Sequence, residues 1–207
     1  MSIQKIFDAV LEFEEDAIAE LVKAEIATGT DLKEILEQGL IGAMDEVGKL
    51  FSAGELYVPE MLMAAETMKA GLEEIKPLLK GDEAKSKGIF IIGTVKGDLH
   101  DIGKNLCAMM VEGAGYDVID VGMDSEPEVF LEKIKETGAT VIGLSALLTT
   151  TMPAMEETIK KIREAGLDTK VIVGGAPVSR EYAEKIGADG YGIDAPTCVE
   201  LVKQFMA

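Results

Sequence analysis

Tryptophan is absent from this 207-residue chain, histidine occurs once, cysteine twice, and aromatic residues make up only 5%. Each scarcity closes off some chemistry. A zinc site built from several His and Cys ligands close in sequence cannot be assembled from His100 and the isolated Cys107 and Cys198. Two cysteines in a chain this long fit no disulfide scaffold, and no apolar run follows a basic N-terminus as in a secretory signal, so a reducing cytoplasm is the expected compartment. Basic residues are also few: 20 Lys plus Arg stand against 38 Asp plus Glu, a formal net charge of −18. Surfaces that neutralise nucleic-acid phosphates or anionic lipid need clustered Lys and Arg, so neither nucleic acid nor a membrane is an expected partner. The longest uncharged stretch, Thr137 to Met155, contains Ser145 and Pro153 and reads as a buried strand running into a loop rather than a membrane span.

What is present falls into two halves. From the N-terminus to about Lys80, apolar residues recur at helical spacing, as in Ile3, Ile6, Phe7 and Val10 and then Ile18, Leu21 and Val22. Gly29 ends one helix, and Asp31 with Glu34 three residues on resembles a capping box that opens the next. That helix carries Leu32, Ile35, Leu36, Leu40 and Val47 on its buried side. Another begins near Pro59. With a break around Glu14 to Asp16, these make four helices in a bundle over residues 1–80. Residues 81–87 are polar and patternless and mark a linker.

From residue 88 to 207 short apolar runs alternate with amphipathic stretches: Gly88–Val95, Tyr116–Val121, Thr140–Ser145, Lys170–Gly174 and a weaker Gly190–Gly192. Five strands alternating with helices predict an α/β fold with a parallel sheet covered on both faces. Ligands of such folds bind outside the carboxyl ends of the strands, which directs attention to the loops after the first, third and fourth. The first of these, from Gly93 to Asn105, contains the single histidine between Asp98 and Asp101, with Gly97 and Gly103 on either side. Imidazole is the commonest transition-metal ligand, and a ligating His usually gives its other ring N–H to a carboxylate, which Asp98 could supply. Asp98 and Asp101 equally suit turn capping, and a lone histidine is often structural. One imidazole is too few ligands to hold a bare ion, so a metal here would take its remaining ligands from something else, which a macrocycle would supply. After the third strand, Ser145, Leu147, Thr149 and Thr151 alternate hydroxyl and apolar groups, and Gly174-Gly175 closes the fourth, where small residues would let a cofactor lie against backbone. Taken singly, each of these also suits ordinary turn chemistry. The eleven methionines, Met61, Met68, Met109 and Met110 among them, read as flexible core filler, and both cysteines as small buried hydrophobes.

Together, Asp98-Leu-His100-Asp101-Ile102-Gly103, Ser145-Ala-Leu147 and Gly174-Gly175, separated by 41 and 26 residues, resemble the motifs of the cobalamin-binding family. The helical half, with Gly48-Lys-Leu-Phe51 through Val58-Pro59, resembles the cap domain that precedes this module in cobalamin-dependent methionine synthase. A free-standing protein of both parts resembles the corrinoid proteins of methyltransferase systems. The resemblance implies an N-terminal four-helix bundle followed by a Rossmann-like (flavodoxin-like) five-stranded parallel sheet. It also implies a cobalamin cofactor cycling between methyl-Co(III) and Co(I).

On that resemblance, His100 is the cobalt ligand on the lower face, Asp98 holds it, and Thr151 stands where methionine synthase has a serine that completes the relay. Gly97, Asp101, Ile102, Gly103, Ser145, Leu147, Thr149, Gly174 and Gly175 then line the cofactor, while Phe51 and Val58 cover its upper face. The implied role is a methyl carrier, not catalytic alone, with the linker as hinge. Its partners would be a substrate-specific methyltransferase, a second methyltransferase serving a folate or thiol acceptor, and a reductive activase. Two other readings stay open: the cobalamin subunit of a carbon-skeleton mutase, for which residues 1–80 would have no role, and a storage or regulatory module that binds but transfers nothing. A regulator usually carries a basic DNA-binding segment, and the acidic balance of both halves opposes one.

Overall fold

The computed structural model describes residues 2–78 and 86–207. Contacts divide the chain into two compact units, Met1–Ser86 with Gly113–Gly115, and Lys87–Glu112 with Tyr116–Ala207. Of the expected linker over 81–87, only Ser86 and Lys87 lie among the described residues.

The first unit is helical: α1 (Ile3–Leu11), α2 (Glu15–Ala27), α3 (Leu32–Glu34) running through a π-helical segment Ile35–Ile41 into α4 (Gly42–Ser52), and α5 (Val58–Ile75). The break between α1 and α2 falls just before the acidic stretch, where Phe13 adopts φ +61°. Gly29, at φ +86°, ends α2 in the left-handed conformation that a glycine takes without steric cost. The expected capping box at Asp31 is only half formed: its carboxylate accepts from Lys33 N at 2.7 Å, satisfying one free donor of the first turn. The reciprocal kind of bond occurs instead at α5, where Tyr57 N donates to Glu60 Oε2 at 2.8 Å. Periodicity also did not disclose the π segment. Its wider turn brings Gly39 against α1, where even a Cβ would lie 3.1 Å from Ile6 Cγ2. Ile6, Val10, Ile18, Val22, Ile35, Leu40, Val47, Met61 and Ile75 form the bundle interior, as the apolar spacing requires.

The second unit is a five-stranded parallel sheet of order β2-β1-β3-β4-β5, built from β1 (Ile89–Thr94), β2 (Asp117–Asp120), β3 (Val141–Ser145), β4 (Lys170–Gly174) and β5 (Gly190–Gly192). The helices between and after them are α6 (Ile102–Gly113), α7 (Pro127–Thr137), α8 (Pro153–Glu164), α9 (Arg180–Lys185) and α10 (Ala195–Phe205). β1 and β3 pair in register from Phe90↔Val141 to Thr94↔Ser145. The buried faces of Ile91, Ile142, Val171 and Val173 pack on Phe130, Ile134, Met155, Ile159 and Ile162 of α7 and α8. Gly93 stands inside β1 because a Cβ there would lie 2.3 Å from Val121 Cγ2 and 2.8 Å from the Phe130 ring.

This strand order reverses direction between β1 and β3. Chain leaving these two strands diverges to opposite sides of the sheet, and the crevice so opened is where such folds take their ligands.

Candidate functional site

Two loops meet at that crevice. The first leaves β1 at Val95, whose N–H donates to Ser145 O at 3.0 Å, and turns at Gly97, φ +82°. The second leaves β3 at Ser145 and runs through Leu147 and Leu148 to Thr151. Asp98 joins them. Its side chain has no solvent exposure, and its carboxylate faces five donors: Oδ1 accepts from His100 N at 3.1 Å and His100 Nδ1 at 2.7 Å, and Oδ2 from Leu147 N at 2.8 Å, Leu148 N at 3.3 Å and Thr151 Oγ1 at 2.6 Å. Burial alone would push this carboxyl up, but the Thr151, Leu147 and His100 donors outweigh it and hold Asp98 far below the usual carboxylate range.

An ionised carboxylate only accepts, so the ring nitrogen facing it must be the one that donates. The imidazole therefore carries its proton on Nδ1 when neutral, leaving the Nε2 lone pair bare. The His100 side chain is 50% exposed. A fixed tautomer, a basic free nitrogen and an open approach are what a metal-ligating histidine needs.

The remaining sequence candidates of the second unit lie at the ends of β3 and β4 and on the loops and helix starts that follow β1, β3 and β4. Asp101 accepts from Asn105 through both its backbone oxygen (2.7 Å) and its carboxylate (3.1 Å), so it starts α6. Ile102 and Leu99 are 73% and 69% exposed, and Leu147 and Leu148 are exposed beside them at the carboxyl edge. Thr149 is exposed and Ser145 half-buried. Gly174 and Gly175 have a packing role of their own: a Cβ on Gly175, φ +127°, would lie 1.9 Å from Ala146 O, and one on Gly174 2.9 Å from Gly192 O. Phe51 and Val58 are half-buried in the first unit, at the end of α4 and the start of α5.

Four further residues of the site escaped the motif reading. Thr94, fully buried, donates its hydroxyl to His100 O at 2.9 Å. Lys104 is buried with its ammonium on Asp120 Oδ2 and, at 2.6 Å, on Asn105 Oδ1. Asp124 accepts from Gly97 N at 2.6 Å. The available signal was positional: Asp120 and Asp124 flank the exit of a strand next to the switch point.

Two family models, each described as a B12 binding domain, match residues 2–76 and 88–199. The chain is 44% identical to the dimethylamine corrinoid protein 1 of Methanosarcina acetivorans, over 99% of this chain and 97% of that one. Among solved structures, a cobalamin-binding protein from Desulfitobacterium hafniense superimposes with a TM-score of 0.85 at 31% identity, covering 99% of this chain and 98% of that one. The methanol:cobalamin methyltransferase complex of Methanosarcina barkeri gives a TM-score of 0.86 at 30% identity, covering 99% of this chain and 79% of the matched one. The chain belongs to the B12-binding corrinoid protein family.

The residues present fit such a group. Gly103 has ordinary helical backbone in the first turn of α6, yet a Cβ built on it meets nothing within 4 Å. Nothing among the described residues requires glycine there, so the open space is available to a broad ring. Leu99, Ile102, Leu147 and Leu148 are exposed apolar side chains that would suit a corrin face, and the one imidazole would suffice for a metal whose other ligands a macrocycle brings. No helix among the described residues is long and apolar enough to cross a membrane. No cluster of three or more His, Cys, Asp or Glu among them could hold a metal ion unaided.

Proposed function

We propose that this corrinoid protein is a methyl carrier, taking a methyl group from a substrate-specific methyltransferase and passing it to a second methyltransferase that serves a folate or thiol acceptor. The bound corrinoid would supply a cobalt centre able to take up and release the methyl group as its oxidation state changes, with a reductive activase restoring the protein after adventitious oxidation. The observation that carries the reading is the Asp98–His100 pair at 2.7 Å, made through Nδ1 of a half-exposed imidazole whose Nε2 has no hydrogen-bond partner among the described residues. Asp98, kept ionised by its donors, accepts from Nδ1 and makes Nε2 the ligand. Thr151 and the Leu147 and Leu148 amides hold Oδ2 of the carboxylate while Oδ1 faces the ring. Among the described residues the imidazole ring is held only by Asp98 of its own loop, which suits a ligand that must let go during the cycle.

The exposed Leu99, Ile102, Leu147 and Leu148 would seat the corrin, Gly97, Gly103, Gly174 and Gly175 would let it approach backbone, and Asp101, Ser145 and Thr149 would line its edge. Phe51 and Val58 would cover the methyl-bearing side. The dimethylamine relative favours a methylated amine as methyl donor.

The test is reconstitution with hydroxocobalamin, chemical reduction, and addition of dimethylamine with a purified dimethylamine methyltransferase. Appearance of the methylated-corrinoid absorption spectrum, dependent on both, is the expected result. A protein that binds corrinoid but is methylated by no pairing of methylamines or methanol with their methyltransferases would be a store, and the reading would fail.

A further inference from the structure

The loop that carries His100 is fastened from outside itself. Thr94 holds the His100 carbonyl from below, and the segment leaving β2 holds the loop from the side. Asp124 makes two bonds to it: its Oδ1 accepts from Gly97 N at 2.6 Å and its own N–H donates to Asp98 O at 2.9 Å. The next residue continues the seam, with Ser125 N donating to Thr94 O at 3.0 Å and Val95 bridging to Ser125 in parallel. Asp124 also has φ +49°, a left-handed conformation that a non-glycine residue seldom holds. Glycine would adopt it more readily, but has no carboxylate; aspartate tolerates it and brings the acceptor. At the far end of the loop, Asp120 of the same β2 exit receives the buried Lys104 ammonium in the first turn of α6.

We infer that Asp124 is the positioning residue for His100: by clamping Gly97 and Asp98 it fixes the carboxylate on which the His100 ring depends. The clamp acts one bond further out than Asp98. Gly97 and Asp98 are adjacent, and every contact made by the Asp98 carboxylate presupposes where this dipeptide lies. Freed from Asp124, the dipeptide can shift, and Asp98 must then choose between the His100 ring and the Leu147, Leu148 and Thr151 donors. Three donors on the far side favour the latter. The inference rests on His100 being the cobalt ligand proposed above.

Because the chain has one histidine, growth on ¹⁵N-histidine labels His100 alone. In the Co(II) state of hydroxocobalamin-loaded protein, an electron paramagnetic resonance signal split into doublets then reports His100 on cobalt, whereas triplets report the cofactor's own ¹⁴N base. Asp124→Gly removes the acceptor without backbone cost and should lower the ratio of doublet to non-doublet signal about tenfold, as loss of outer partners of a ligating histidine typically does. Asp124→Asn keeps an acceptor and tolerates the left-handed backbone, so its ratio should stay within about twofold of the unsubstituted protein. A doublet fraction unchanged in Asp124→Gly overturns the clamp alone. Absence of the doublet from unsubstituted protein, matched by an identical spectrum in His100→Ala, overturns the ligand reading and this inference with it. If Asp124→Gly does not fold, amide exchange in the unsubstituted apoprotein decides: the Gly97 amide should exchange at least about tenfold slower than an open one, and exchange at the open rate defeats the clamp.

Discussion

The Thr151 hydroxyl lies 2.6 Å from Asp98 Oδ2 and 2.9 Å from Leu148 O, so one proton has two acceptors within reach. A hydrogen bond to an ionised acceptor is roughly twice as strong as one between neutral groups, and the proton therefore goes to Asp98. This contact joins residues 53 positions apart and ties the exit of β3 to that of β1. Threonine stands where the methionine synthase pattern has serine, and the buried Thr151 keeps a hydroxyl on the carboxylate.

Thr151→Val keeps the shape and deletes the donor. It should lower apoprotein stability by about 1–3 kcal/mol, the range for a buried polar group losing a hydrogen-bond partner, since Asp98 keeps its other donors. Thr151→Ser keeps the hydroxyl and loses one buried methyl, so it should cost no more than about 0.8 kcal/mol. Urea denaturation of the three proteins checks this; equal midpoints for Val and Thr would mean that the Leu147 and Leu148 amides suffice.

Gly103→Ala separates a fold glycine from a ligand glycine. With helical backbone and nothing within 4 Å of its Cβ, alanine should leave the apoprotein as stable or up to about 1 kcal/mol more stable. If the corrin lies against this turn, the same methyl should weaken its binding by about 1–3 kcal/mol, the usual cost of overpacking. Titration of apoprotein with hydroxocobalamin reads the second effect, and undiminished affinity would move the ring away from α6.

Gly175→Ala should behave oppositely. Its Cβ would fall 1.9 Å from Ala146 O on a backbone at φ +127°, so the apoprotein should lose at least about 2 kcal/mol before any cofactor is added. Thermal unfolding without corrinoid tests this. An apoprotein of normal stability would show that the β3 and β4 exits can separate, and the glycine pair would then answer to the ligand alone.

These two glycines show where the sequence is legible and where it is not. Strands, helices and the β1, β3 and β4 loops follow from periodicity, because alternating runs and amphipathic stretches are local properties. His100 is legible through its neighbours in the chain. Gly175, by contrast, reads as a cofactor contact in sequence, and its closeness to Ala146 emerges only when β3 and β4 pair. Asp124 and Thr94 leave no trace in spacing at all: their partners are 27 and 6 positions away, and nothing in Val121-Gly-Met-Asp124 announces a left-handed aspartate. The π segment at Ile35–Ile41 is hidden for the same reason, since it answers to Ile6 on another helix.

At the opposite edge of the sheet, Asp189 offers a test of acid behaviour away from the site. Its carboxylate accepts from Val171 N at 2.9 Å, Lys170 Nζ at 3.1 Å and Arg163 Nη2 at 2.5 Å. Burial would raise its pKa, but these donors together hold it below the ordinary aspartate value. A carboxyl depressed in the folded state adds stability that is fully present above its unfolded pKa of about 3.9 and is lost as pH falls through the lower folded value. Asp189→Asn keeps an acceptor and loses the charge, so it should cost about 1–2 kcal/mol at neutral pH. That difference should be the same at about pH 7 and pH 5 and shrink by about pH 3, as the unfolded aspartate takes up its proton. Urea midpoints of the two proteins at these three pH values measure it. A difference that persists unchanged at the lowest pH would assign the effect of Asp189 to packing at the β4–β5 entrance rather than to its charge.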